Sequence, residues 1–347
     1  MMTAMQRLAA AMSGSAADRI PVFCNLLDQG AAELGMPLQE YYARGEHVSE
    51  GQLRLRSKYG YDNVWSLFYV GKEAELLGCQ QVLFAKAGPP NVGHWAIDSL
   101  DDIERLEVPH DVAGHPAFEE TRKCLRLLRG EVGGRHPICA YITASMALPA
   151  LLMGMEKWME LLFLGPVAAR EQLLAKCHEF FVKELLAYRN GGADVLVYSN
   201  PFGSTDMVPM RFFRECSLPW IEKDLQAVGT PGIVYYCGTA RMNPVLATVL
   251  ERTGIGAYYL GPFDDVRAGK AILGRRALTC GIINDIRLID WSPEEIRAEV
   301  RRIVEAGRPG GRFLFGTGVM PCGIPEANIR AMLDAAFEFG RTAEGDQ

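Results

Sequence analysis

Eight short runs of β-branched, aromatic and aliphatic residues recur along the chain, each ending in turn-forming residues and followed by a helix-length segment. They lie at 20–26, 63–70, 138–144, 194–200, 232–238, 257–261, 278–284 and 312–318. Most are continuously apolar instead of alternating, the pattern of parallel strands covered on both faces. Eight strand-then-helix units, preceded by an N-terminal helix, predict an α/β fold of the closed (β/α)8 type, a TIM barrel. Residues 71–137 exceed what one connecting helix needs, so an inserted hairpin or lid is expected after the second strand, around 80–94.

The intervening helices carry clear punctuation. Ser292-Pro293-Glu294-Glu295 is a capping box with proline at the first helical position, and Ile296, Val300, Ile303 and Val304 recur on one face before Gly307. In 179–188, Phe180, Phe181, Leu185 and Leu186 behave likewise until Gly191-Gly192, which reads as a helix end feeding a strand. The most apolar stretch, 147–165, is broken by Glu156, Lys157 and Glu160, so it predicts a buried helix or helix pair, not a membrane span.

Composition narrows this picture. At 347 residues and 49 % hydrophobic content, with no repeat, linker or low-complexity tract, the chain reads as a single domain over 1–347 with a substantial core. A 22 % charged fraction and a net charge of −6 argue against disorder and against a nucleic-acid-binding surface. Nine cysteines, odd in number and without a two-residue gap between any pair, fit a reducing compartment, so the expected location is cytoplasmic with no membrane partner. The six histidines all fall at or before His178, leaving the second half of the chain without one.

In a barrel of this kind the loops at the carboxyl ends of the strands carry the chemistry. Those positions here are polar and aromatic: Asn25 and Asp28; Tyr69, Glu73 and Glu75; Thr143 and Ser145; Ser199, Asn200, Ser204 and Asp206; Tyr235, Tyr236 and Cys237; Asp264 and Asp265; Asn284, Asp285 and Arg287; Thr317. Aromatic residues Phe23, Phe68, Phe202 and Tyr259 accompany them and either line a planar ligand or belong to the core. Glu73 and Glu75 serve a site or a helix start. His94 and His178 read as locally satisfied.

The ordered landmarks resemble the uroporphyrinogen decarboxylase superfamily, which includes the decarboxylase and the corrinoid-linked methyltransferases. Arg7-Leu8-Ala9-Ala10-Ala11-Met12 and Asp18-Arg19-Ile20-Pro21-Val22 look like the family's entry to strand one. Glu73-Ala74-Glu75-Leu76-Leu77-Gly78-Cys79 is similar to the "EAEALGC" element of the methyltransferase branch. Gly281-Ile282-Ile283-Asn284-Asp285, Ser292-Pro293-Glu294-Glu295-Ile296 and Pro325-Glu326-Ala327-Asn328-Ile329 follow at the family's spacings. The family fold is a (β/α)8 barrel. The decarboxylase itself matches poorly: its arginine-bearing "RQAGR" loop is replaced by Asn25-Leu26-Leu27-Asp28-Gln29-Gly30, and the position of its strand-two aspartate falls at or beside Tyr69. A cup without guanidinium groups lacks the usual means of binding a polycarboxylate.

The thiol methyltransferases of the superfamily hold zinc with a His-x-Cys on strand five and a cysteine after strand eight. Here strand five reads Tyr235-Tyr236-Cys237-Gly238, and Gly318 stands at the position of the strand-eight cysteine, with Cys322 four residues on. Zinc is therefore expected to be absent, the alternative being a rearranged site of Cys237, Cys322 and Glu73. Tyr235 and Cys237 share a face of strand five; if it is the interior, both reach a ligand, and otherwise Cys237 is a small core hydrophobe.

A methyltransferase without zinc fits the donor side of a transfer cycle, where a reduced corrinoid is the nucleophile and the protein must assist the leaving group. The resemblance thus implies an enzyme moving a methyl group between a small organic donor, such as a methoxylated aromatic (an O-demethylation), and a corrinoid (cobalamin) supplied by a corrinoid-binding protein. Tyr235, Asp206 and Asp28 are the expected catalytic residues. Asn25, Tyr69, Glu73, Asn200, Tyr236, Cys237, Asn284 and Asp285 are expected to bind substrate. The alternatives are a decarboxylase or other lyase acting on a small carboxylated ring, served by Arg211, Arg214, Arg241 or Arg287, and a non-catalytic barrel that binds a partner.

Overall fold

Each of the eight apolar runs contains a strand in the computed structural model, which describes residues 2–80, 82–83 and 90–342. The strands are β1 (Val22–Phe23), β2 (Val64–Trp65), β3 (Ile138–Thr143), β4 (Val195–Ser199), β5 (Ile233–Tyr236), β6 (Ala257–Tyr259), β7 (Leu278–Ile283) and β8 (Phe313–Thr317). They pair in parallel in the order β1-β8-β7-β6-β5-β4-β3-β2, so strands adjacent in sequence pair with one another except β1 and β2, and β1 pairs with β8. The connections are the helices expected of a (β/α)8 barrel.

β1 and β2 are far shorter than the runs that contain them because side chains replace the backbone ladder where the sheet closes on itself. The Asp62 N–H donates to the Val22 carbonyl at 2.8 Å, and the Asp62 carboxylate accepts from the Val22 N–H at 2.8 Å. Asn63 then mimics a strand residue: its Oδ1 accepts from the Cys24 N–H at 2.9 Å and its Nδ2 donates to the Cys24 carbonyl at 3.2 Å. The Trp65 indole N–H adds a bond to that carbonyl at 2.7 Å. The charge on Asp62, whose side chain is 2 % exposed, is met by Arg7 at 3.0 Å and Arg19 at 2.5 Å.

Alternation along the strands splits the core in two. Phe23, Trp65, Tyr141, Val234, Tyr236 and Tyr259 belong to the cluster inside the barrel, whereas Ile233, Tyr235, Tyr198 and Tyr258 pack with the surrounding helices. The expected N-terminal helix spans Ala4–Ser13, carries a Thr3/Gln6 capping box, and lies under the amino ends of the strands. There Met5, Leu8 and Met12 help line an apolar cavity of 410 Å³ that also touches Phe23, Val234 and Tyr259.

The Ser292 capping box opens the helix Pro293–Gly307, with Ile296, Val300, Ile303 and Val304 buried as predicted. The 179–188 pattern is the end of a longer helix, Val167–Asn190, in which Leu186 is exposed, contrary to the pattern. The 147–165 stretch is a helix pair, Leu148–Met153 and Met155–Leu164. Within the predicted insertion, Val82–Leu83 and Asn91–Val92 pair antiparallel; residues 81 and 84–89 lie outside the described residues. Among the described residues no helix is long and apolar enough to cross a membrane.

The seam gives the first expected outcome. Asp62→Ala strands two arginines beside a lost carboxylate and lowers the unfolding free energy by about 3–5 kcal/mol. Asn63→Ala leaves the Cys24 backbone short of its partners and costs about 1–3 kcal/mol. Urea denaturation measures both; effects near zero in each would show that the ladder closes without these side chains.

Candidate functional site

The carboxyl end of the barrel holds an aromatic cup built from inward positions of β2, β3, β5 and β6. Trp65 stacks on Tyr141 with ring centroids 4.8 Å apart and planes 11° apart. Phe68 leans on the same tyrosine at 4.9 Å. Tyr236 lies 6.0 Å from Tyr141, and Tyr259 meets Tyr236 edge-on at 5.6 Å.

Polar groups project into this cup from β1, β7 and β8. Asn25 is fixed by its N–H, which donates to Thr317 Oγ1 at 2.9 Å, and by its Nδ2, which donates to the Tyr141 hydroxyl. Its Oδ1 is buried and has no hydrogen-bond partner. Asp285 follows β7 and is 5 % exposed. Burial pushes its carboxyl up to about 6, because an ionised form loses its hydration there without gaining a cation. Its neighbour just after β8 is Gly318: a Cβ on that residue would stand 2.7 Å from Asp285 Oδ1 and 3.4 Å from the Tyr236 hydroxyl. The glycine is what allows the acid and the phenol to approach one another. Burial, and then Asp285, raise the Tyr236 phenol far above its usual range.

The rim on the β8–β1–β2 side is a second polar group. Asp28 accepts from the Tyr42 hydroxyl at 2.5 Å and from the Cys322 thiol; burial raises its carboxyl while those two bonds oppose the rise. Burial and the nearby Asp28 push the thiol up to about 12, so it stays protonated. Gln29 Nε2 ties this rim together by donating to the carbonyls of Met320 and Pro321 at 2.9 and 3.0 Å. Tyr69 meets Tyr42 edge-on at 5.4 Å and donates to Glu75 at 2.6 Å, which Lys72 also binds at 3.0 Å.

Residues 3–339 match the family described as uroporphyrinogen decarboxylase (URO-D). The chain belongs to the uroporphyrinogen decarboxylase family. Among its relatives is the methylcobamide:CoM methyltransferase MtbA of Methanosarcina mazei, 23 % identical, covering 97 % of this chain and 98 % of that protein. The uroporphyrinogen decarboxylase of Geobacter sulfurreducens is 26 % identical over 73 % of this chain and 74 % of its own length. A solved methyltransferase from Methanosarcina mazei superposes with a TM-score of 0.84 at 22 % identity, over 98 % of this chain and 99 % of that one. The barrel expected from strand counting is thus a uroporphyrinogen decarboxylase-family barrel.

Several residues expected in the cup stand elsewhere. Tyr235 and Cys237 fall on the outer face of β5, because Val234 and Tyr236 take the inner positions of a period-two strand. The Tyr235 ring packs near Tyr198 at 5.5 Å and Tyr258 at 6.0 Å. Cys237 Sγ lies 3.6 Å from Met242 Sδ, with its thiol raised by burial. Asn200 is buried beside Tyr235, outside the cup, and donates its N–H to the Tyr236 carbonyl at 2.7 Å. Asp206 is held by Arg241 at 2.7 Å; that bond keeps its carboxyl below the usual range, so it is a poor proton donor. Asn284 accepts from the Arg287 N–H at 3.2 Å and shapes the turn.

The arginines proposed for a carboxylated ligand are exposed, Arg211 and Arg241 being paired with Glu215 and Asp206. Phe202 packs edge-on against Trp158 outside the barrel. His94 Nδ1 bonds the Trp95 carbonyl and His178 Nδ1 donates to Asp224, both local arrangements as expected.

The candidate zinc ligands do not converge. Cys237 points to the helices, Cys322 sits beside Asp28, and Glu73 accepts from the Thr143 N–H and hydroxyl at 3.2 and 2.8 Å. No group of three or more His, Cys, Asp or Glu suited to a metal occurs among the described residues. This donor set does not fit a zinc ion.

Sequence reasoning missed Tyr141 and Trp65, which the inward register of β2 and β3 supplies, and it missed Glu184. That carboxyl, on the helix Val167–Asn190, is buried against Glu73, and each has an oxygen without a partner. Burial holds Glu73 up at about 7; burial, and then Glu73, raise Glu184 well above the ordinary carboxyl value, while Lys72 opposes both rises. A carboxyl whose folded value lies above its unfolded one is protonated more readily in the native state. Stability then falls as pH rises from about 4.5 through about 7. Glu184→Gln should flatten that fall and raise the melting temperature at pH 8. A melting profile parallel to that of the unaltered protein from pH 5 to 8 would separate the two carboxyls.

Proposed function

We propose that this uroporphyrinogen decarboxylase-family chain is a methyltransferase that moves a methyl group from a small methyl ether in the aromatic cup to a corrinoid. A partner protein presents that corrinoid at the mouth as co-substrate. The names of the relatives matched along nearly the whole chain support the coarse activity, since they are methylcobamide:CoM methyltransferases. The observation that carries the finer reading is Asp285, an inward carboxyl with a value of about 6 beside Tyr236 in an otherwise aromatic chamber.

The chemistry follows from that acid. A reduced cobalt centre attacks the methyl carbon, the carbon–oxygen bond breaks with its electron pair on oxygen, and Asp285 gives its proton to that oxygen. The products are a methylated corrinoid, an alcohol or phenol, and the Asp285 carboxylate. Tyr236 stands beside the acid and steadies the developing charge by hydrogen bonding. The aromatic walls hold a flat ring by offset and edge contacts and exclude water. The same groups do not suit the acceptor side, where a thiol must be ionised: Cys237 packs on the outer face of the barrel and Cys322 beside Asp28, and among the described residues no ligand set converges to hold a Lewis acid. Asp28 remains a rim acid able to meet the polar end of a substrate, while Tyr235 and Asp206 take no part in this reading.

Purified protein mixed with cob(I)alamin and a panel of methoxyarenes should form methylcobalamin, followed by its absorbance. Asp285→Asn should lower the rate by about 10²–10⁴-fold. Because the acid form is required, the rate of the unaltered protein should decline as pH rises through about 6. Wild-type rates in the Asp285→Asn variant, or decarboxylation of a porphyrinogen with no methyl transfer, would overturn the proposal.

A further inference from the structure

We infer that the amino end of the barrel, opposite the mouth, holds a second binding site for one small uncharged apolar molecule, seated between the N-terminal helix and the lower ends of the strands. The site is independent of the reaction assigned to the cup. The carrying observation is the 410 Å³ cavity under that helix, which has an open rim and a buried end. Ala9 and Met12 are exposed at the rim, whereas Phe23, Tyr259, Cys280 and Leu314 at the inner end are each 5 % exposed or less. The interior of such a barrel is ordinarily filled by layers of side chains; here the lowest layer is incomplete.

Sequence and anchoring together keep the space open. Met5, Leu8, Ala9 and Met12 recur at the i, i+3, i+4, i+7 spacing of one helix face, and all four line the cavity. The residues of this helix buried against protein are Ala4, Arg7, Ala10 and Ala11, three of them too small to fill the floor. Across the cavity, the chain enters β5 and β6 through Gly232, Gly254 and Gly256, and β6 begins with Ala257, so the strands bring little bulk either. Gly232 and Gly254 have φ of 76° and 66°, a left-handed backbone that favours glycine. The helix cannot sink into the gap. Arg7 ties it to Asp18 at 2.6 Å and to Asp62 at 3.0 Å, the Met5 N–H donates to the Arg135 carbonyl at 3.0 Å, and Arg312 donates to the Met12 and Ser13 carbonyls. Polar anchors near both ends and in the middle hold the helix in place, and a void that cannot collapse persists.

The lining sets the class of ligand. Among the described residues no lysine, arginine or histidine lines the cavity, and the one carboxylate, Asp194, is taken by Arg129 and by the Ile138 N–H, both at 2.9 Å. A charged molecule would give up its hydration there and gain no free counter-charge. Apolar cavities stay dry, and one of about 150 Å³ already takes benzene. The larger volume here has room for a molecule of about two or three rings and falls within the range of ordinary ligand sites. Phe23 and Tyr259 offer ring surfaces, and the unbranched thioethers of Met5 and Met12 adapt to the occupant's outline. Met12 lies across the rim: its Cε would stand 3.4 Å from a Cβ on Gly256. The occupant rests against Tyr259, the ring that also meets Tyr236 of the cup edge-on.

The test titrates the full chain with N-phenyl-1-naphthylamine, an uncharged probe that brightens in apolar surroundings, and with 8-anilinonaphthalene-1-sulfonate, the same skeleton carrying a sulfonate. The uncharged probe should bind with an affinity at least about tenfold above that of the sulfonate. Ala9→Trp, which adds an indole at the rim, and Ala257→Leu, which adds bulk from β6, should each weaken the uncharged probe by about tenfold or more. Phe68→Ala, in the cup, should leave its affinity within about twofold. The probe should also raise the melting temperature of the unaltered protein and not that of Ala9→Trp. Circular dichroism checks the fold of each variant, and because the two filling substitutions stand on separate elements, either one that folds decides the matter. Absence of binding, equal affinity for the sulfonate, or an affinity unchanged by the filling substitutions overturns the inference. Loss of binding in Phe68→Ala places the probe in the cup and overturns it equally.

Discussion

The barrel depends on one buried carboxylate and the amide next to it. Asp62 binds Arg7 from the N-terminal helix, Arg19 from the approach to β1 and the Val22 N–H within β1. A single charge thus fixes the floor and the seam together. Asn63 continues the closure onto Cys24, whose carbonyl also takes the Trp65 indole. The consequence reaches the cup directly. Trp65 is the ring on which Tyr141 stacks, and Asn25 is the residue after Cys24. If the seam opened, both walls of the chamber would lose their registration before any loop at the mouth moved. Closing a barrel with side chains at its shortest strands leaves those strands free of a rigid ladder, and it makes their geometry depend on burying charge correctly.

How much of this was legible in the sequence follows from what each signal encodes. Strand number and position were readable because eight continuous apolar runs mark strands buried on both faces, and all eight occur. The Ser292 capping box was readable because its pattern is local and its partner lies three residues on. The facing of each strand was not readable, and for the same reason that the strands were. In Ile233-Val234-Tyr235-Tyr236-Cys237 every side chain is compatible with either face, so nothing distinguishes the tyrosine that lines the cup from the one that packs on helices. The chemistry of Tyr235 and Tyr236 was assigned by type, and a shift of one residue exchanged their roles. Glu184 escaped notice because it lies in the middle of a long helix and meets Glu73 only through the tertiary fold.

Aspartates in this chain show how environment, not residue type, sets function. Asp206 and Asp285 both follow barrel strands, and both were candidates on that ground. Arg241 holds the first ionised at the surface, while burial without a cation raises the second to about 6, so it keeps its proton into mildly acidic pH. Asp62 is buried as deeply and does structural work, because two guanidiniums reach it. A sequence cannot show which acid has a cation, since Arg241 lies 35 positions from Asp206. The separation of such environments is what divides structural from chemical carboxylates in a single fold.

Gly318 links the missing cysteine to the buried acid. By resemblance it stands where thiol-activating members of the family carry a cysteine, and taken alone its loss of a side chain reads as a lost site. In the fold, the space that a side chain there would claim is held by the Asp285 carboxyl, 2.7 Å from a Cβ placed on the glycine. The two features are therefore one arrangement, since the acid can lean towards Tyr236 only because residue 318 has no side chain. On the reading proposed above, a cup rebuilt in this way exchanges a position suited to a metal-held thiolate for a buried oxygen acid, raised to about 6, among aromatic side chains. Such an acid is of little use in ionising a sulfur, but it matches the need of a departing oxygen, which must gain a proton as its bond to carbon breaks. On the reading proposed above, the chain keeps the family's barrel and its corrinoid-facing mouth, and changes which half of a methyl transfer that mouth assists.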